Sequence, residues 1–275
     1  MSTARYVYFI SDHTGITAEV VGKSLLSQFP GHAYHLVNLP FIDSLDKVHA
    51  ARAQIGEAWA QTGLRPLVFS TLTDPQARAL FQDCKALVMD IYGHFLGAMA
   101  EELGMQPKPK RGRAHGMKDF GTYHSRIDAV NFTLDADDGL SMGKYAAADL
   151  ILTGVSRSGK TPTSLYMAMQ YGLRVANYPL TPEDFEQPGL PRPLLLHSGK
   201  LWGLTLAPER LAQIREERRP GSRYAALDTC RAELQEAETR MRAASIPVVD
   251  STHRSVEEIA ALIKQSLPAP PDQEI

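Results

Sequence analysis

The clearest chemical signal is Gly154-Val155-Ser156-Arg157-Ser158-Gly159-Lys160-Thr161, which satisfies G-x-x-x-x-G-K-[ST] at every fixed position. An apolar run, Asp149–Thr153, leads in, and a helix-compatible run, Thr161–Tyr171, leads out. Glycines let a backbone come close to a polyphosphate, so that several loop N–H groups aim at its oxygens. The positive end of the following helix adds to the attraction. Lys160 supplies a charge for the outer phosphates, and Thr161 a hydroxyl for Mg²⁺. Pro162 falls in the first helical turn, where its missing N–H costs little. A glycine-rich turn that binds nothing is the weaker reading, because pattern and flanks agree. Arg157 is open between a phosphate clamp and a solvated loop residue.

Two acidic groups are candidates for proton transfer. Asp12 sits in Ser11-Asp12-His13-Thr14-Gly15-Ile16-Thr17-Ala18-Glu19, between a strand-like run and a helix-like run. That segment makes a plausible anion site, with Asp12 as a general base or a hydroxyl-orienting group. Helix capping by Thr14 or Thr17 explains its hydroxyls equally well. Asp137-Asp138-Gly139 either binds Mg²⁺ or serves as a base; an ordinary turn is the plainer alternative. Nine histidines are scattered, and His115 and His124 lack the i, i+4 spacing of a helical metal site, which argues against a zinc centre.

The elements that position these groups follow an α/β pattern. Arg5–Ser11, His32–Phe41 and Leu67–Leu72 read as strands, with helices over Thr17–Phe29 and Ser44–Thr62. Asp74–Leu103 reads as helical, in two pieces. Gly104–Lys118, with two prolines, three glycines and five Lys or Arg, reads as a linker. Asp119–Leu134 reads as a helix. Strands follow at Asp149–Thr153, from Arg174, and at Leu201–Leu206 and Ile246–Asp250. Helices are expected over Pro208–Arg219, Tyr224–Ala244 and Ser255–Leu267, and a frayed end over Pro268–Ile275. The expected architecture is an N-terminal α/β domain over 1–144, followed by a P-loop kinase-like α/β domain over 145–275.

Composition narrows the setting. With 275 residues, 44% of them hydrophobic, the chain can build a sizeable core. A net charge of -2 gives no sign of a general nucleic-acid or anionic-membrane binder. Only Cys84 and Cys230 are present, so a reducing compartment is expected. No apolar run approaches the ~20 residues of a membrane span, and no signal-peptide pattern is seen. A cytoplasmic protein is expected, with a homodimer as the base-rate oligomer.

Several P-loop classes are excluded. The guanine-reading N-K-x-D is absent. Where many ATPases carry an apolar strand ending in Asp, Leu194-Leu195-Leu196 runs into His197 and Ser198. A compact kinase remains. Leu211–Arg219, with Arg215, Arg218 and Arg219, is similar to the arginine-bearing lid helix of small P-loop kinases; a solvated, salt-bridged face is the alternative for each arginine. Ile246–His253 is similar to their adenine-side strand and loop, and Ser255 with Glu258 fits a capping box.

Taken together, Ile10–Pro30, Gly154–Pro179 and Gly203–Arg219 resemble the pyruvate, phosphate/water dikinase regulatory proteins over nearly the whole chain. Ser222-Arg223-Tyr224-Ala225-Ala226, with Cys230 and Glu233, resembles the branch that acts on phosphoenolpyruvate synthetase. The resemblance implies a bifunctional serine/threonine kinase and phosphorylase. It implies phosphorylation of a threonine on that synthetase with ADP as donor, which inactivates the target. It also implies reversal by inorganic phosphate, with release of pyrophosphate. Nucleotide binding carries over to Gly154–Thr161, with Lys160 as the key charge and Thr161 as the Mg²⁺ contact. Asp12, Asp137 and Asp138 are the candidate bases, unranked, and the N-terminal domain is the candidate docking surface for the protein target. Alternatives are the same chemistry on pyruvate, phosphate dikinase, a P-loop kinase of a small metabolite, and a nucleotide-sensing module without catalysis.

Overall fold

The computed structural model describes residues 4–108, 120–139 and 141–267. The chain divides into two compact units, 1–116 and 117–275. The first unit runs β1 (Arg5–Ile10), α1 (Ile16–Leu26), β2 (Tyr34–Leu39), α2 (Leu45–Thr62), β3 (Leu67–Ser70), α3 (Pro75–Gln82), β4 (Leu87–Asp90) and α4 (Ile91–Leu103). Its sheet is parallel throughout, in the order β2-β1-β3-β4. Alternation along β1 feeds two layers. Tyr8 and Ile10 pack with Val48, Ile55 and Phe81 of the α2 and α3 layer. Val7 and Phe9 pack with Ala18 and Phe69 beneath α1. Gly22 lets α1 come that close, since a Cβ there would lie 2.4 Å from the Phe9 ring.

The second unit runs α5 (Phe120–Asp135), β5 (Leu150–Val155), α6 (Lys160–Tyr171), β6 (Val175–Leu180), α7 (Arg192–Leu195), β7 (Leu201–Thr205), α8 (Pro208–Arg218), α9 (Leu227–Ala243), β8 (Val248–Asp250) and α10 (Val256–Gln265). Its sheet is again parallel, in the order β6-β5-β7-β8. Every residue of β5 is buried, as expected for a strand covered on both faces. Leu150 and Leu152 pack with Met167 of α6 and with Ile259 and Ile263 of α10. Ile151 and Val155 pack with Leu211 of α8 and with Leu234 and Met241 of α9.

The α/β class is as expected, with three local differences. The 74–103 stretch is not helical throughout. Leu87–Asp90 forms β4, parallel to β3, and Asp90 then caps α4 through the Gly93 N–H at 2.9 Å. The four residues join two helices with no glycine or proline between them, so nothing in the pattern separates them. The compact division falls at 116, not near 145, because α5 packs on α6 and β6 of the second unit. Gly15, at φ 79, occupies the N-cap of α1, and no side chain caps that helix. The Ser255–Glu258 capping box is present. Residues 109–118 of the expected linker, His115 among them, lie outside the described residues, as do Asp119 and the 268–275 tail. Among the described residues, no helix is long and apolar enough to cross a membrane.

Candidate active site

The glycine-rich loop leaves the carboxyl end of β5, next to β7, where the strand order of the second sheet reverses. In open parallel sheets this is where ligands bind. Gly154 has φ 146, and a Cβ there would lie 2.3 Å from the Leu204 carbonyl oxygen on β7. Glycine is therefore required for the loop to leave the sheet at this point. Gly159, at φ 93, is the N-cap of α6 and makes no side-chain cap. The amides of the first turn are left for a ligand. Arg157 is held at φ 77, in the left-handed region that non-glycine residues seldom adopt.

Lys160 opens α6 and is 5% exposed. Its Nζ donates to the Val155 carbonyl at 2.9 Å, which folds the side chain back along the loop. Burial pushes its pKa down to about 8. Asp138 and Asp137 oppose that shift, and Arg215 and Arg157 add to it. Lys160 is thus a charge held in a tight place, ready for an anion to compensate it.

The two aspartates arrive from the end of α5. Thr161 Oγ1 donates to Asp137 Oδ1 at 3.0 Å, and Asn177 Nδ2 donates to the same oxygen. Asn177 is fully buried in β6. Its Oδ1 accepts the Asp138 backbone N–H at 3.0 Å. Asp138 takes φ 50, ψ 31, and its carboxylate makes no hydrogen bond among the described residues. The pair is therefore divided: Asp137 is tied to the loop, and Asp138 is held by its backbone, its carboxylate free of hydrogen bonds among the described residues and favouring the charge on Lys160.

These groups line one cleft of about 760 Å³, together with Ser156, Arg157, Arg218, Arg219 and Tyr224. A second hollow of about 680 Å³ lies past Ser158 and Gly159, between α8 and the loop that precedes α10. It shares Arg157, Gly159 and Ile214 with the cleft, and its walls include Arg210, Gln213, His253 and Arg254. Ser251 Oγ ties this wall to the loop by donating to the Ser158 carbonyl at 3.2 Å.

The structure thus brings Lys160, Thr161, Asp137 and Asp138 together with the 154–161 loop. Asp12 belongs to the first unit. There its Oδ2 accepts from the Thr73 N–H at 2.8 Å and from the Thr73 hydroxyl, joining the carboxyl ends of β1 and β3. The arginines of α8 divide: Arg218 and Arg219 line the cleft, whereas Arg215 is fully buried and pairs with Glu233 at 2.7 Å. Arg215 is neither a solvated face residue nor a cleft residue. Asn177 has no role in the sequence pattern, and Tyr224 enters it only within the Ser222–Ala226 resemblance, with no site role. Asn177 carries no motif and acts across the sheet, and Tyr224 approaches from beyond α8.

The model of the kinase/pyrophosphorylase family matches residues 7–263. A protein of Azoarcus sp. (strain BH72), named "Putative phosphoenolpyruvate synthase regulatory protein", is 53% identical over 264 residues, covering 96% of this chain and 95% of its own. A protein of the same name from Aromatoleum aromaticum is 51% identical over 264 residues, with the same coverage. One from Ralstonia nicotianae is 49% identical over 263 residues, covering 96% and 94%. The chain belongs to the kinase/pyrophosphorylase family.

Proposed function

We propose that this protein is a bifunctional regulator of phosphoenolpyruvate synthetase, phosphorylating a threonine of that enzyme from ADP and removing the phosphate with inorganic phosphate. The observation that carries the reading is the single cleft in which Lys160, Thr161, Asp137 and Asp138 meet the glycine-rich loop. A loop of this kind grips the phosphates next to the transferable group, which suits a β-phosphoryl donor. Phosphoryl transfer mainly needs positioning and charge neutralisation.

In the forward direction the threonine Oγ attacks the β-phosphorus of ADP. The bond from that phosphorus to the bridging oxygen breaks, and AMP leaves. Asp138, with its carboxylate uncommitted in the cleft, accepts the hydroxyl proton. Lys160 and the loop amides hold the phosphate oxygens, and Arg218 and Arg219 offset the charge that develops. In the reverse direction an oxygen of orthophosphate attacks the phosphothreonine phosphorus. The bond to Oγ breaks, Asp138 passes to it the proton given up by the attacking hydrogenphosphate, and pyrophosphate leaves. Orthophosphate then occupies the place of the AMP phosphate, so one cradle serves both directions.

Thr161 Oγ1 and Asp137 Oδ1, 3.0 Å apart, are neighbouring oxygen donors of the kind Mg²⁺ takes while keeping its remaining sites for phosphate and water. The residues fit that ion, and Mg²⁺, when bound, neutralises phosphate charge. The second hollow, with Arg254 and Gln213, is placed to take the nucleoside of ADP beyond the loop.

The test uses ADP labelled in its β-phosphate. The reading expects label on a threonine of the synthetase and stoichiometric AMP. Label that appears only from the γ-position of ATP, or only on a small molecule, would overturn it in favour of a metabolite kinase.

A further inference from the structure

The Ser222–Glu233 segment carries the resemblance to one branch of the family, yet none of its residues belongs to the proposed catalytic set. The structure gives it a place. Arg215, fully buried, donates from Nη2 to Glu233 Oε2 at 2.7 Å and to the Ser156 carbonyl at 3.2 Å. Its Nη1 donates to the Tyr224 carbonyl at 3.1 Å and lies 3.8 Å from Cys230 Sγ. The guanidinium carbon stands 4.1 Å from the centre of the Tyr224 ring. Tyr224, Cys230 and Glu233 are therefore the socket of one arginine, and that arginine grips the phosphate loop.

Tyr224 makes a second link to the same loop residue. Its hydroxyl lies 2.9 Å from Ser156 Oγ, within hydrogen-bond distance. Ser156 is thus held twice, by its carbonyl and by its side chain. The carbonyl and N–H of a trans peptide point in opposite directions. Holding the Ser156 carbonyl against Arg215 turns the Arg157 N–H away from that buried side. The left-handed conformation of Arg157 follows directly on this anchor. Tyr224 also walls the cleft itself.

We propose that Tyr224 is a positioning residue: seated on Arg215 and bonded to Ser156, it sets the outer arm of the phosphate loop in its ligand-binding shape. The inference rests on the reading of the cleft as a nucleotide site. It adds that loop geometry is imposed from the α8–α9 side, by the Ser222–Glu233 segment.

The experiment titrates Mg·ADP calorimetrically into the parent, Tyr224→Phe, Ser156→Ala and the double variant, with the melting temperature of each. Tyr224→Phe keeps the ring over Arg215 and removes only the hydroxyl. The expected result is about three- to tenfold weaker ADP binding in each single variant, little change in melting temperature, and a double variant no weaker than either single one. ADP affinity in Tyr224→Phe within twofold of the parent, or two losses that add in full, would overturn the proposal. A parent that binds no ADP would instead overturn the nucleotide reading, and this inference with it.

Discussion

Asn177 holds Asp137 and Asp138 through opposite ends of one amide: its nitrogen donates to the Asp137 carboxylate, and its oxygen accepts the Asp138 N–H at 3.0 Å. A buried residue of β6 thereby fixes an acidic pair that belongs to a different part of the chain, and points it at the phosphate loop after β5.

Replacing Asn177 with Leu removes both bonds without changing side-chain size much. Buried groups left unpaired cost about 1–3 kcal/mol. The expected outcome is a lower melting temperature together with reduced phosphoryl transfer in both directions. Thermal unfolding and transfer assays check this. An active Asn177→Leu enzyme with an unchanged melting temperature would show that the amide does not organise the pair.

The two aspartates predict different phenotypes. Asp138→Asn removes the proton acceptor, so kcat should fall by about 10²–10⁴ while ADP binding stays near the parent value. Asp137→Asn keeps an acceptor for Thr161 but removes the negative charge beside it, and should raise the Mg²⁺ requirement before it lowers kcat. Mg²⁺ titrations of both variants separate the cases. Identical Mg²⁺ dependence would contradict the division of roles.

Lys160 predicts a pH dependence. In the folded, nucleotide-free protein its pKa lies at about 8, against an ordinary value of 10.5. If the charged form is the one that binds, ADP affinity should fall about tenfold per pH unit above 8. The sign for stability is opposite. Between about 8 and 10.5 the unfolded chain carries the extra proton, so this group's contribution to stability rises with pH in that window. Lys160→Met should remove both trends. ADP affinity that is flat to pH 9.5 in the parent would contradict the assignment.

Gly154 predicts a steric failure. An alanine methyl would meet the Leu204 carbonyl oxygen at a backbone conformation of φ 146. Destabilisation of about 2 kcal/mol or more is expected for Gly154→Ala. By contrast, Gly159→Ala meets no atom within 4 Å and carries only the conformational cost of φ 93. Denaturant titration of the two variants checks the order.

Much of this architecture is legible along the chain. The strand, loop and helix around Gly154–Thr161 are contiguous, so pattern and context coincide in one short window. Short apolar runs mark most strands of both sheets. What stays hidden is what depends on neighbours across the fold. β4 is four residues between two helices and has no boundary signal. Asn177 is one polar residue in an apolar strand, and its meaning comes from the turn packed beside it. Arg215 sits in a run of charged residues that reads either as a phosphate-reaching lid or as a solvated face, yet α8 turns it inward onto Glu233 and Tyr224. The division between Asp137 and Asp138 follows from which of them reaches Thr161, which spacing does not determine.

The central claim is that one cleft runs both reactions. The direct measurement is the intact mass of phosphoenolpyruvate synthetase after incubation with ADP and the parent or Lys160→Ala protein. A second sample starts from the threonine-phosphorylated synthetase and adds excess phosphate. The parent should add one phosphate from ADP and remove it with release of pyrophosphate, and Lys160→Ala should lose both activities by about 10²–10³. Phosphate-dependent removal that survives Lys160→Ala while ADP-dependent addition is lost would place the two reactions in separate sites and contradict the account.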